Sequence, residues 1–330
     1  MKKRSTRAVG WLMVGALALA VTACGDDEKE TTDTGGETKS GYACDYPIDE
    51  LYKAASSGLE AKNPTAFEFL SNLQLTTDQQ NEVAALIDGD AGMEPEAAAA
   101  QWVSENADVV EGWAPTNADG GEGITLAVNP WTGSMVNAQV AKAVLEADYN
   151  TEVTISEVDE NVTWEGLDDG SIDATLEVWP SGHVEDRATY IDEKKTVVDI
   201  GPLGPSAKIG WYITKKVADE HPELLTWEGF KDEELAALFK TAESGDVGQF
   251  LMGDPSYVSY DEQIIENLDL PLKFVVAGTE TALIAAVQDA DEQGTPLLLQ
   301  FWQPHWLHSQ IELVEVELPA ITPECEAAAA

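Results

Sequence analysis

Apolar residues recur at helical spacing over 51–59, 65–73, 77–87 and 94–106, with Thr77 and Pro95 placed as caps. Residues 45–113 therefore read as helices only. The pattern changes at Gly121. Residues 124–128 read as a short strand, Ser134 caps an amphipathic helix through Leu145, and 153–158 read as a second strand. A short helix begins at 164–167 and ends at Gly170, and the strand 174–178 follows. A second alternating block has strands at 209–214, 250–252, 272–276, 296–301 and 313–318, with helices at 260–267 and 281–289. Strands alternating with helices predict parallel α/β sheets. Two such blocks, joined by an extended segment around 197–213, predict two lobes with a cleft between them. No repeat of solenoid period is visible.

The first residues read as an address. Lys2, Lys3, Arg4 and Arg7 precede an apolar run over 8–22 that ends in Val21-Thr22-Ala23-Cys24. A basic start, a short apolar stretch and small residues before a cut describe a secretory signal over 1–23, too short for a comfortable membrane span. The cut site resembles a bacterial lipobox, which implies that Cys24 is diacylated and becomes the mature N-terminus; a plain signal with an incidental cysteine is the alternative. Residues 24–43, rich in Asp, Glu, Thr and Gly, read as a flexible tether. The expected location is outside the cytoplasm, with the membrane contacted through the lipid anchor only. In an oxidising compartment the two remaining cysteines, Cys44 and Cys325, are expected to pair, closing almost the whole chain into a ring. Two separate buried thiols are the alternative.

Charge narrows the partners. The 330 residues carry 18 Lys and Arg against 61 Asp and Glu, a formal charge of −43. Phosphate contacts need a basic surface, so nucleic acid is excluded as a partner, and so is an electrostatic grip on anionic lipid. Such an excess is tolerable in a salty medium that screens it. With 44% apolar residues the chain has enough for real cores.

Three of the ten tryptophans stand in one kind of place. Trp131 follows the strand ending at Val128, Trp179 closes the strand 174–178, and Trp302 follows the strand 296–301. Pro or Gly lies beside each. Ligands of open α/β sheets bind at the carboxyl ends of the strands, so rings from both blocks are expected to face one another there. A quaternary ammonium has no N–H to donate, and its charge and methyl shell suit a box of π-faces. Ordinary packing is the alternative for each ring. His183, past a Ser-Gly turn after Trp179, is placed to donate to a ligand carboxylate, or is a surface histidine. The loop 253–258 lies between a strand and a helix, where free backbone N–H groups occur.

Several segments resemble the extracellular solute-binding proteins of glycine betaine/choline ABC importers. Phe301-Trp302-Gln303-Pro304-His305-Trp306 is similar to that family's G-W-x-P-H-W segment, and Ala127-Val128-Asn129-Pro130-Trp131 to its strand-to-Trp segment. WEGLDDGSIDATLEVWPSGH over 164–183 resembles its W…GSxDAxLxxW run, and Gly253-Asp254-Pro255 its I-D-P-G loop. The resemblance covers roughly 45–325. It implies an α/β, two-lobe periplasmic-binding-protein (type II) architecture, with Trp131, Trp179 and Trp302 caging a trimethylammonium. His183 and the amides of Tyr257 and Val258 would hold a carboxylate. Glycine betaine is the first expected ligand, with choline, carnitine or proline betaine open. The turn after Trp179 is one residue shorter than the pattern, and Ser256-Tyr257-Val258 stands where the family has a glycine-rich run. The partners implied are a membrane permease and its ATPase, reached after closure of the lobes.

The order of segments also departs from the family. Helices over 62–113 resemble helices that follow the Pro-His-Trp segment in relatives, which implies a circular permutation. The expected organisation is then a permuted helical segment over 44–118, lobe 1 over 119–205, and lobe 2 with a return strand over 206–330. Cys44 and Cys325 would staple the opened junction. No Gly-x-Ser-x-Gly elbow, His-Glu-x-x-His or phosphate-binding glycine loop occurs in the sequence, so no enzyme, cofactor or metal is expected. Capture of a metal by His305 and His308, or of a sugar or peptide, are the competing functions.

Overall fold

The computed structural model describes residues 41–89 and 91–326. The expected signal at 1–23, the lipidation site Cys24 and the tether through residue 40 lie outside them. The last expected tether residues are structured: Tyr42 is buried, and its ring stacks on Tyr260 at 4.2 Å.

Among the described residues nine strands carry the fold: β1 (Asp49–Ser56), β2 (Ile124–Val128), β3 (Val153–Glu157), β4 (Ala174–Val178), β5 (Val197–Thr214), β6 (Gly248–Met252), β7 (Leu272–Val276), β8 (Leu298–Gln303) and β9 (Leu313–Val316). Their order is β3-β2-β4-β1-β5-β8-β6-β7, with β9 also on β5. β2 runs parallel to β3 and β4, and β6 runs parallel to β7 and β8. These two parallel groups lie within the alternating blocks read from the sequence, but the expected strands at 209–214 and 313–318 pair antiparallel rather than joining the second parallel group. Each parallel pair needs a crossover. The helix Thr132–Asp148 joins β2 to β3, Glu160–Asp169 joins β3 to β4, and Glu280–Gln293 joins β7 to β8.

The groups meet through antiparallel strands. β5 is 18 residues long; its first part pairs with β1 and its last part with β8 and β9, so one backbone belongs to both halves. Gly201 and Gly204 let it bend where the β1 register shifts, at φ of 101° and 126°. A Cβ on Gly204 would lie 2.0 Å from the Leu75 carbonyl oxygen, so only glycine fits there.

β1 corrects the sequence reading. Residues 51–59 were expected to be helical, within a stretch of helices only, whereas 49–56 form a strand inserted antiparallel between β4 and β5. An apolar run of this length suits a buried strand as well as a helix, and periodicity cannot separate the two. Burial on both faces explains the run and holds one charge as well. Lys53 is 0% exposed, and its ammonium donates to the carbonyls of Leu70 (2.7 Å), Ser71 (3.1 Å) and Leu73 at the end of the helix Pro64–Asn72. Those carbonyls lack intrahelical partners, so the lysine serves as a C-terminal cap.

The helices Pro64–Asn72, Thr77–Asp88 and Pro95–Glu105 agree with the spacing. The cap of the second is Thr76 rather than Thr77: its hydroxyl accepts from the Gln79 N–H, and the Gln79 side chain accepts from the Thr76 N–H. One buried cluster joins Phe69, Val83 and Trp102 of these helices to Leu126, Leu145 and Leu176 of the first block. A second cluster, around Trp211, Phe230 and Phe250, fills the other half. Cys44 and Cys325 are joined by a disulfide with Cα atoms 6.3 Å apart. Beside it the Asp45 N–H donates to the Pro319 carbonyl at 2.8 Å. Among the described residues no helix is long and apolar enough to cross a membrane.

Candidate ligand-binding site

A cavity opens at the carboxyl ends of β2, β4 and β8. Trp131, Trp179 and Trp302 all line it, with Tyr46, Tyr257 and Tyr260. Trp179 stands immediately past the end of β4, Trp131 three residues past the end of β2, and Trp302 is the penultimate residue of β8, which runs two residues beyond the expected span. The three indoles are nearly buried, with 7–8% of each exposed. Tyr257 ties two of them together: its ring meets Trp131 edge-on at 5.9 Å and Trp302 at 5.8 Å, and its hydroxyl donates to the Pro130 carbonyl. Trp302 is backed by Phe301, stacked at 4.9 Å. Such edge-to-face contacts fix the rings against rotation.

A carboxylate aims the other two indoles. Glu177 Oε1 accepts from the Trp131 indole N–H at 2.7 Å and from the Trp179 indole N–H at 3.1 Å. Its Oε2 accepts from Asn137 at 2.6 Å and Gln80 at 2.9 Å. Burial pushes the Glu177 carboxyl up to about 7, against the pull of those four donors. Sequence reasoning missed this residue, yet a signal was present. In a strand, residues i and i+2 share a face, so a glutamate two positions before Trp179 in an apolar strand points the same way as the ring.

Tyr46 and Tyr260 were missed as well. The Tyr46 hydroxyl donates to Asp261 at 2.8 Å and accepts the Tyr260 N–H at 3.0 Å, and the Trp211 indole N–H donates to the same Asp261 oxygen at 2.7 Å. Tyr46 lies in the segment expected to hold helices only, so nothing local marked it.

The expected carboxylate-holding groups are arranged differently from the sequence reading. His183 is 3% exposed and does not line the cavity. Its Nε2 contacts Glu160 Oε2 at 3.0 Å and its Nδ1 contacts Asp186 at 2.8 Å. Burial lowers the affinity of this ring for a proton, but Asp186 and Glu160 outweigh it and lift the imidazole to about 9. A doubly protonated ring donates to both carboxylates, which leaves the Trp164 indole nitrogen, 3.1 Å from Nδ1, as a packing neighbour. The Val258 N–H donates to Glu160 Oε1 at 2.5 Å, and the Tyr257 N–H donates to the Asp254 carbonyl. The reason is Glu160 itself. It heads the helix Glu160–Asp169, lines the cavity, and accepts from the histidine and the Val258 amide. Gly182 and Val258 come so close that a Cβ on Gly182 would lie 3.2 Å from Val258 Cγ1.

The histidines considered for metal capture have other partners. His305 contacts Glu280 through Nε2 and accepts the Leu307 N–H through Nδ1. His308 donates to the Trp302 carbonyl at 3.0 Å.

Comparison with known proteins places the chain. Residues 39–105 and 122–323 match the OpuAC family, the substrate-binding domain of ABC-type glycine betaine transport systems. The glycine betaine/carnitine transport binding protein GbuC of Listeria monocytogenes is 26% identical over 170 residues, 51% of this chain and 54% of that protein. The chain thus spans about half the length of this curated relative. Among solved structures, the glycine betaine/L-proline-binding protein ProX of Borrelia burgdorferi aligns with a TM-score of 0.50 at 18% identity, covering 60% of this chain and 69% of that one. Lactococcal OpuAC with glycine betaine aligns at a TM-score of 0.45 and 18% identity, covering 62% and 72%. The fold is the two-lobe architecture of periplasmic substrate-binding proteins, and the chain belongs to the family of substrate-binding domains of ABC-type glycine betaine transport systems.

Proposed function

We propose that this protein captures a methylated quaternary ammonium compound outside the cytoplasm and delivers it to an ABC permease driven by an ATPase. The observation that carries the reading is the convergence of Trp131, Trp179 and Trp302, from three separate strands, on one cavity that Tyr46, Tyr257 and Tyr260 complete. A sugar would require many side-chain donors and acceptors around the same rings; here the wall is mainly aromatic and aliphatic. Glycine betaine, choline, carnitine and proline betaine share a quaternary nitrogen bearing two or three methyl groups, which such a wall suits. The chain acts by binding rather than catalysis. Contacts from both halves favour a closed state over an open one, and only such differential contacts shift the population. The relative from Listeria bears the name of a glycine betaine/carnitine binder, which supports the same class.

Anchoring through a diacylated Cys24 and a circular permutation belong to this reading. The permutation draws support from the family match, which falls in two blocks, 39–105 and 122–323, and breaks between the N-terminal helices and β2 where former termini would be joined. It draws further support from the disulfide, which sits where new termini would open. Calorimetry on the mature protein tests the function: heat with choline, glycine betaine or tetramethylammonium and none with zinc or maltose is expected. Heat with zinc or maltose alone would overturn the reading.

A further inference from the structure

The geometry points to Glu160 as a built-in counter-charge that selects methylated cations without a carboxylate, such as choline, over zwitterions such as glycine betaine. The inference rests on the quaternary-ammonium reading and narrows it. Glu160 is 8% exposed and forms part of the wall of the indole-lined cavity. One of its oxygens accepts from the Val258 amide at 2.5 Å, on the loop after β6, and the other lies 3.0 Å from His183 Nε2, on the segment after β4. A bound carboxylate could bridge these donors from the two halves; the protein's own side chain already does so.

Two consequences follow from charge and geometry. The positive charge of His183 is shared with Asp186 at 2.8 Å, so the cluster of one imidazolium and two carboxylates leaves one negative charge at the cavity wall. That charge attracts a quaternary nitrogen held among the rings and repels a ligand carboxylate brought to the same wall. The Val258 amide has a single N–H, already donated, so a zwitterion would gain no donor there without expelling Glu160. A hydroxyl tail, as in choline, carries no charge and can donate to a carboxylate oxygen. Glu160 is thus a specificity-determining residue in contact with the ligand space.

Isothermal titration of the mature protein with choline, tetramethylammonium and glycine betaine tests this. Choline and tetramethylammonium are expected to bind at least about 30-fold more tightly than glycine betaine. In E160Q, which keeps an oxygen acceptor for the Val258 amide but loses the charge, the ratio of choline to betaine affinity is expected to fall tenfold or more. Equal or tighter binding of glycine betaine by the unaltered protein overturns the inference and leaves the aromatic cage standing. An unchanged ratio in folded E160Q does the same. Binding of none of the three overturns the cage reading and this inference with it. The ratio in the unaltered protein decides the matter even where E160Q fails to fold.

Discussion

The proposed aromatic cage makes a prediction that separates charge recognition from simple apolar burial. The perturbation is double: the ligand changes from choline to 3,3-dimethylbutan-1-ol, its neutral carbon isostere, and Trp302 changes to Leu. Trp302 is the ring to alter, because Trp131 and Trp179 both donate to buried Glu177, and losing either would also strip that carboxylate of a donor. Each indole face contributes about 0.5–2 kcal/mol to a desolvated cation. Three such faces oppose the dehydration cost of the charged ligand and leave a net preference for choline of about 1.5–3 kcal/mol, roughly 10- to 150-fold. W302L weakens both ligands through lost contact, but removes one π-face for choline alone. The coupling between the two changes is therefore expected at about 0.5–2 kcal/mol, read as a double-perturbation cycle. Indole fluorescence or calorimetry supplies the four affinities. A neutral isostere that binds as tightly as choline, or a coupling below about 0.3 kcal/mol, refutes cation recognition by these rings.

Four further outcomes are expected of the folded protein. Glu177, lifted to about 7 by burial, binds a proton more tightly folded than unfolded, so its contribution to stability is fully present below about 4.5 and is lost as pH rises through about 7, by up to about 3 kcal/mol; the difference between the melting profiles of the unaltered protein and E177Q should show this slope. His183 also has a raised value, about 9, so its contribution is fully present below about 6.5 and is lost as pH rises through 9. The difference between the melting profiles of the unaltered protein and H183Q should shrink over that window, and a constant difference would count against the ion cluster. K53A should cost about 2–4 kcal/mol in urea unfolding, because three carbonyls at the end of the helix Pro64–Asn72 lose their buried partner; a loss under about 0.5 kcal/mol would dismiss the cap. Reducing the disulfide, which spans 281 positions, should lower stability by about 2–5 kcal/mol on the chain-entropy account, seen as a lower melting temperature with a thiol reductant present.

What could be read from the sequence was what local pattern encodes. Strand ends at Val128 and Val178 follow from short apolar runs stopped by Pro and Gly, and they place Trp131 and Trp179 at one edge of a parallel group. Trp302 joins them from the second group, an arrangement that spacing suggests and that only the crossover topology fixes. β1 was not legible, because residues 51–55 satisfy a helical and a buried-strand pattern equally and the choice lies with the distant partners β4 and β5. Glu160 was hidden for a different reason. It is one of 61 acidic residues, and what distinguishes it is a contact with Val258, 98 positions away. His183 drew attention by chemistry alone; its two carboxylate partners were not visible without the turn that carries it.

The bond between Cys44 and Cys325 has a bearing on survival outside a cell. Because it encloses nearly every loop of the folded part, a protease that clips one exposed loop yields two fragments still linked as a single molecule. The severed strands remain at high effective concentration and can re-pair, so a nick that would shed a piece of an untied chain is here mended by refolding.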